Sequence, residues 1–186
     1  MSPKTFLFPS IYSALLIIAT CIVFYGGHSQ SINTVTIIGW LLIIPFCVVA
    51  MIYSKRNIYN NVIGGKDLVK EGLKFVIFST VILVIFQAIF FTLDFKAYKV
   101  NFIQTYGFEL AKTQIKAGNL KITEAQIPDL IKKEIDQVTL FKECTSVVFK
   151  NLFLGTITSV ISAVVIRAKL KIGAITFGDF KLIGYP

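Results

Sequence analysis

Leu73–Leu93 reads LKFVIFSTVILVIFQAIFFTL, and its only charged residue is Lys74 near the start. The β-branched content would favour a strand in a soluble protein, but a run of about twenty apolar residues is far longer than a strand and matches one helical crossing of a bilayer. Length therefore decides for a helix, which satisfies its own backbone polar groups where water is absent. Three more runs share the pattern: Phe6–Tyr25, Thr34–Tyr53 and Val147–Ile166. The expected fold is all-α: a polytopic membrane protein with four transmembrane helices and an extracytoplasmic helical hairpin between the third and fourth. Residues 1–186 are read as a single membrane domain, with an external loop over 94–146 and a cytoplasmic tail over 167–186.

Composition agrees, with 55% hydrophobic and 16% charged residues against about a quarter charged in soluble proteins. The net charge of +9 does not indicate nucleic acid, because many basic residues flank the apolar runs and no nucleic-acid-reading motif occurs. Of the three cysteines, Cys21 and Cys47 lie inside apolar runs and Cys144 beside the fourth, with neither metal-ligand spacing nor a disulfide framework. A lipoprotein signal at Cys21 is disfavoured, since Thr20 precedes it and apolar sequence continues to Tyr25. Lys4 alone makes a weak n-region and no small-residue cleavage site follows, so the first run is read as a retained span.

The punctuation fits this division. Pro9 stands in the first turn of span 1, and Gly26, Gly27 and His28 open a short uncharged turn. Pro45 is expected to kink span 2 or draw in a neighbouring helix, and Lys55 and Arg56 close it. Residues 57–72 are polar and glycine-rich, with Leu68 and Val69 on a short segment expected to lie along the interface before span 3. In the external loop, Phe102, Tyr106, Phe108 and Leu110 fall near helical spacing and Gly118 and Asn119 form a stop. Thr123 with Gln126 makes a capping box ahead of the apolar face Ile127, Leu130, Ile131 and Ile135, with Pro128 expected to delay the helix start. The second arm is expected to run straight into span 4.

Basic residues set the orientation. Lys4, Lys55, Arg56, Lys66, Lys70, Lys74, Arg167, Lys169, Lys171 and Lys181 face only Asp67, Glu71 and Asp179 on one side, whereas the long loop is nearly balanced. Both termini are thus expected in the cytoplasm, and the protein in a bacterial inner membrane.

No chemistry-bearing set emerges. Ionisable residues in the middle of spans mark relays and ion paths, and none is present; Gln87 is the most polar side chain at depth and is read as an interhelical hydrogen-bonding group. His28 is the only histidine, which leaves histidine metal clusters without their parts. Gly64, Gly65 and Lys66 imitate a phosphate loop, but Asn60 stands for its first glycine and Asp67 for the magnesium-binding hydroxyl. The loop carboxylates alternate with lysines as on a solvated face. Gly155, Ser159 and Ala163, four apart with Ser162 alongside, form a small-residue stripe for close helix approach, by default within the chain. The tail from Ile172 to Pro186, with Phe177, Phe180 and Tyr185, is read as flexible, the alternative being that it docks on a partner as an added strand or by its aromatics.

The basic stop at Lys55 and Arg56, the glycine-rich lead-in ending at Gly72, the charged helical excursion, and GTITSVISA over Gly155–Ala163 followed by Arg167 and Lys169 together resemble a bacterial four-span membrane family, domain of unknown function 4199. The resemblance covers most of the chain to about residue 169. It departs where the family tends to carry an aromatic residue and a proline, near Leu68 and again near Asp94 and Phe95, and the tail beyond Lys171 is additional. It implies an inner-membrane four-helix protein without established catalysis.

Three functional expectations follow. The first is a non-enzymatic accessory or scaffold subunit, without cofactor, that binds another membrane protein or a second copy of itself. The second is a lipid or polyprenyl-phosphate handling module for envelope glycan enzymes, with Lys55, Arg56, Lys66, Lys70, Lys74, Arg167 and Lys169 as candidate anionic-lipid contacts. A small homo-oligomeric transporter or channel is the third.

Overall fold

The computed structural model describes residues 6–28 and 31–181, with 168–181 as backbone only. All regular structure among the described residues is helical, without strands: α1 (Leu7–Tyr25), α2 (Ile32–Asn57), α3 (Gly65–Phe90), a π-turn (Phe91–Phe95), α4 (Lys96–Lys116), a 3-10 turn (Glu124–Gln126), α5 (Ile127–Asp136) and α6 (Leu140–Lys181). Four stretches are long and apolar enough to cross a membrane: Leu7–Tyr25, Ile32–Asn57, one within Gly65–Lys116 and one within Leu140–Arg167. The tail from Ile172, Lys4, and the side chains of Lys169 and Lys171 lie outside the residues whose side chains are described.

The chain forms two compact units, one of residues up to Leu83 and from Phe149 onward, the other Val84–Val148. The first unit is a helical bundle turned inside out by soluble standards. Its outer surface carries large apolar side chains, including Ile18, Ile22, Leu41, Val81, Ile161 and Val164. Its interior takes Tyr12, Ile43, Cys47, Met51, Phe75 and Val76 together with Ser13, Ser79, Thr80, Thr158, Ser159 and Ser162. Small and hydroxyl-bearing residues at helix contacts, with bulky aliphatics facing outward, are what helices need when hydrocarbon is the solvent.

Most of the interior hydroxyls close locally or across neighbours. Tyr12 Oη donates to the Gly39 carbonyl of α2 at 2.9 Å, and Ser13 Oγ to the Ser79 carbonyl of α3 at 3.4 Å. Ser79 and Thr80 both donate to the Val76 carbonyl, at 3.0 and 2.7 Å. The Tyr12 ring lies 5.6 Å from those of Phe46 and Phe75, joining α1, α2 and α3. Pro45 leaves α2 continuous from Ile32 to Asn57.

The second unit departs from expectation at both ends. The helix that holds the third apolar run does not stop at Leu93; it passes through the π-turn into α4 and ends only at Lys116. The π-turn keeps an aromatic file in line. Phe86 stacks on Phe90 at 5.3 Å, Phe90 on Phe95 at 5.0 Å, and the file continues through Tyr98, Phe102 and Tyr106. A step of five residues in an α-helix would throw Phe95 roughly 140° off this face, and one wide turn absorbs the extra residue.

α4 ends in a Schellman motif, with Gly118 at φ 72°, its amide donating to the Ile115 carbonyl and that of Asn119 to the Gln114 carbonyl, both at 3.0 Å. The Thr123–Gln126 capping box is present and opens the 3-10 turn, so Pro128 sits in the first turn of α5 and does not delay it. α5 stops at Asp136 and α6 begins at Leu140, which breaks the expected continuous arm at Gln137–Thr139. α4 and α5 touch where a Gly107 Cβ would lie 3.3 Å from Ile131 Cγ1. Lys99 Nζ, 5.0 Å above the Phe95 ring, pairs with Glu143 at 2.5 Å, and Lys112 meets Glu124 at 3.7 Å. Both pairs join separate elements, not successive turns of one solvated face.

Candidate functional site

The basic end of the first unit is built by the turn between α2 and α3. Lys55 and Arg56 occupy the last turn of α2, where cations complement the helix dipole. The chain then reverses through Asn60 and Asn61, both left-handed at φ 47° and 66°, a conformation asparagine tolerates better than other side-chain-bearing residues. The Asn61 amide donates to the Lys55 carbonyl at 2.9 Å and that of Val62 to the Tyr59 carbonyl at 2.8 Å. This reversal carries Tyr59 to α3, where its hydroxyl donates to Glu71 Oε1 at 3.1 Å. Lys74 donates to the same oxygen at 2.5 Å, so the buried Glu71 carboxylate is held by a cation and a phenol. Burial, and then the neighbouring carboxylate, push the Tyr59 hydroxyl pKa up.

The lead-in expected along the interface is instead the first two turns of α3, continuous with the apolar run. Within it Lys70 pairs with Asp67 at 2.9 Å. Arg167 of α6 lies against the start of α3, its Nη1 3.5 Å from where a Gly65 Cβ would stand. The candidate lipid contacts thereby sort into two groups. Lys70 and Lys74 are neutralised by Asp67 and Glu71, whereas Lys55, Arg56, Lys66 and Arg167 have no ion pair among the described residues. Lys55 is the unusual member, only 7% exposed.

The α6 stripe faces the chain's own helices. A Cβ on Gly155 would fall 2.5 Å from Val76 Cγ2, and one on Gly72 2.6 Å from Ser159 Oγ and 3.0 Å from Met51 Sδ. Ser159 donates to the Gly155 carbonyl at 2.7 Å and sits 3.5 Å from Cys47 Sγ. Ser162 and Ala163 are buried on the same face. Gln87 is half-buried in the second unit, with no side-chain hydrogen bond among the described residues.

Two features were not anticipated. Asn151, one turn before Gly155, is 3% exposed with its Nδ2 unpartnered. The antiparallel register of Gly72 with Ser159 and Val76 with Gly155 carries Thr80 to its level. Beside it Lys150 Nζ sits 4.4 Å above the Trp40 ring. The spacing of four from Gly155 was the available signal for Asn151; nothing in the sequence paired Lys150 with Trp40.

With this geometry in view, a family model described as "Protein of unknown function (DUF4199)" matches residues 8–168. The chain belongs to that family. The DUF4199 segment takes in both compact units, the stripe and Arg167, and leaves the tail from Lys169 outside it. No curated protein and no solved structure matches the chain.

Proposed function

We propose that this DUF4199 protein is a multi-pass protein of a bacterial inner membrane, with both termini cytoplasmic, acting as a non-enzymatic accessory subunit for another membrane protein. The membrane reading is supported by the outward aliphatic surface of the first unit and the orientation by its unpaired basic residues.

The small-residue stripe of α6 is occupied by the chain's own α3, so the partner surface is sought on residues 94–146. One observation carries that choice: Tyr106, Phe108, Leu110, Leu140 and Phe141 stand exposed outside the four apolar runs read from the sequence, Phe141 at 81%. Aromatic residues left open on an extramembrane segment suit a protein surface. Transport is disfavoured because the interior hydroxyls of the bundle are largely engaged in packing hydrogen bonds.

Photo-crosslinking residues placed at Phe108 and Phe141 in native membranes test this reading. One dominant membrane-protein adduct is expected from both sites, absent from a probe at the lipid-facing Ile161 and lost on Phe141→Asp. Adducts to lipid alone at all three sites would contradict it.

A further inference from the structure

A cluster of electron-pair donors lies where α2, α3 and α6 meet inside the first unit. Cys47 and Met51 stand one turn apart on α2, both fully buried, with their sulfurs 3.9 Å apart. Met51 is the only methionine after Met1. α6 brings Ser159 Oγ to 3.5 Å from Cys47 Sγ, and α3 brings the Gly72 carbonyl to 4.0 Å.

Hydrogens are scarce in this cluster. Ser159 gives its one hydroxyl hydrogen to the Gly155 carbonyl at 2.7 Å, so its oxygen faces Cys47 as an acceptor. Met51 Sδ and the Gly72 carbonyl are acceptors by nature. A single thiol hydrogen thus faces three acceptors and serves them poorly. A positive ion in its place would meet several lone pairs at once.

The donors and their setting select that ion. Thiolate and thioether are soft ligands that take Cu(I), whereas no three His, Cys, Asp and Glu side chains group as a metal set among the described residues. One thiolate with one monovalent ion makes a neutral centre; a divalent ion such as zinc would leave a net positive charge in an apolar interior, at a heavy cost in solvation. Spacing agrees as well. With metal–sulfur bonds of about 2.3 Å and metal–oxygen bonds of about 2.1 Å, a trigonal ion holds two sulfurs about 4.0 Å apart and a sulfur and an oxygen about 3.8 Å apart. The cluster already has 3.9 and 3.5 Å.

We propose that Cys47 and Met51, with Ser159 as third donor, hold one Cu(I) ion. On binding, the Cys47 S–H bond breaks and an S–Cu bond forms; the proton leaves to the medium and copper keeps its oxidation state. Met51 Sδ and Ser159 Oγ add lone pairs and lose no proton, the serine keeping its hydrogen on the Gly155 carbonyl. The site goes beyond the accessory role above and does not depend on a protein partner.

The test uses the full-length protein in detergent micelles under argon, with Cys21→Ala and Cys144→Ala removing the other two thiols and Cu(I) supplied as its bicinchoninate complex. One ion per chain should transfer from the chelator, with a thiolate-to-copper absorption band in the near ultraviolet and a higher unfolding temperature. Its affinity should rise about tenfold per pH unit as one proton is displaced. Cys47→Ser in that background should take up no copper. Met51→Leu, which keeps the core volume and should unfold like its parent without copper, should bind at least about tenfold more weakly. Ag(I) should compete for the site, and Zn(II) should not. Failure of copper to transfer, or equal uptake by the Met51→Leu or Cys47→Ser chain, would overturn the site and leave these side chains as core packing. An unfolding temperature lowered by copper would overturn it too, since that marks a thiol reached only after unfolding. Zn(II) bound as tightly as Cu(I) would overturn a monovalent ion as the occupant.

Discussion

Gly155→Ala probes the closest helix contact in the first unit. The added Cβ would fall 2.5 and 2.6 Å from the two methyl carbons of Val76 and 3.1 Å from its Cβ, about 1 Å inside the ordinary carbon–carbon contact. Val76 cannot turn aside freely, because a β-branched side chain in a helix is confined largely to one χ1 rotamer. α3 and α6 would have to separate, and that strain also stretches the neighbouring approach of Gly72 to Ser159. Overpacking costs about 1–3 kcal/mol; with Val76 confined the upper part of that range, about 2–3 kcal/mol, applies, and about 1 kcal/mol of improved helix propensity leaves a net loss of about 1–2 kcal/mol. Val76→Ala removes the two methyls responsible, and the pair should couple favourably by at least about 1 kcal/mol in a double-mutant cycle. Reversible unfolding in mixed detergent micelles measures all four corners of that cycle. A Gly155→Ala protein as stable as the wild type, or a double variant showing no coupling, would refute the packing described for α3 and α6.

Other perturbations separate the remaining contacts. Tyr59→Phe removes the phenol from Glu71 and should cost about 0.5–1.5 kcal/mol at neutral pH in thermal unfolding. Because the folded-state pKa of Tyr59 is raised above its unfolded value, its contribution is full below the unfolded value and fades as pH climbs from about 10 through the folded value; unfolding curves across that range should fall less steeply for Tyr59→Phe. Lys150→Gln should alter the emission of Trp40, the only tryptophan, and lower stability by about 0.5–1 kcal/mol. Thr123→Ala removes the capping box and should cost about 1 kcal/mol, seen as faster amide exchange in residues 124–136 with no change in the first unit.

The apolar runs were legible because hydrocarbon imposes one requirement on about twenty consecutive residues, and no local preference competes with it. Chain punctuation was legible for the same kind of reason: Gly118 and the Thr123–Gln126 box act within one turn of the residues that carry them. Features that need a second helix were not. The spacing of Gly155, Ser159 and Ala163 marked a close approach but could not say that Val76 and Gly72 supply the other side. Tyr59 and Glu71 meet only because Asn60 and Asn61 both adopt left-handed backbone. The π-turn escaped because its signature, Phe90 stacked on Phe95, breaks the spacing by which helices are recognised. Lys55 read as one more basic residue at a helix end; its low exposure comes from packing that the sequence does not show.

Cysteine accessibility in spheroplasts tests the membrane arrangement most directly, with Asn60→Cys and Asn119→Cys each introduced into a variant lacking Cys21, Cys47 and Cys144. Asn119→Cys, in the turn after α4, should react with a membrane-impermeant maleimide in intact spheroplasts, and Asn60→Cys, between α2 and α3, only after lysis. Labelling of both sites before lysis, or of Asn60→Cys alone, would contradict a four-span bundle with residues 94–146 on the extracytoplasmic side.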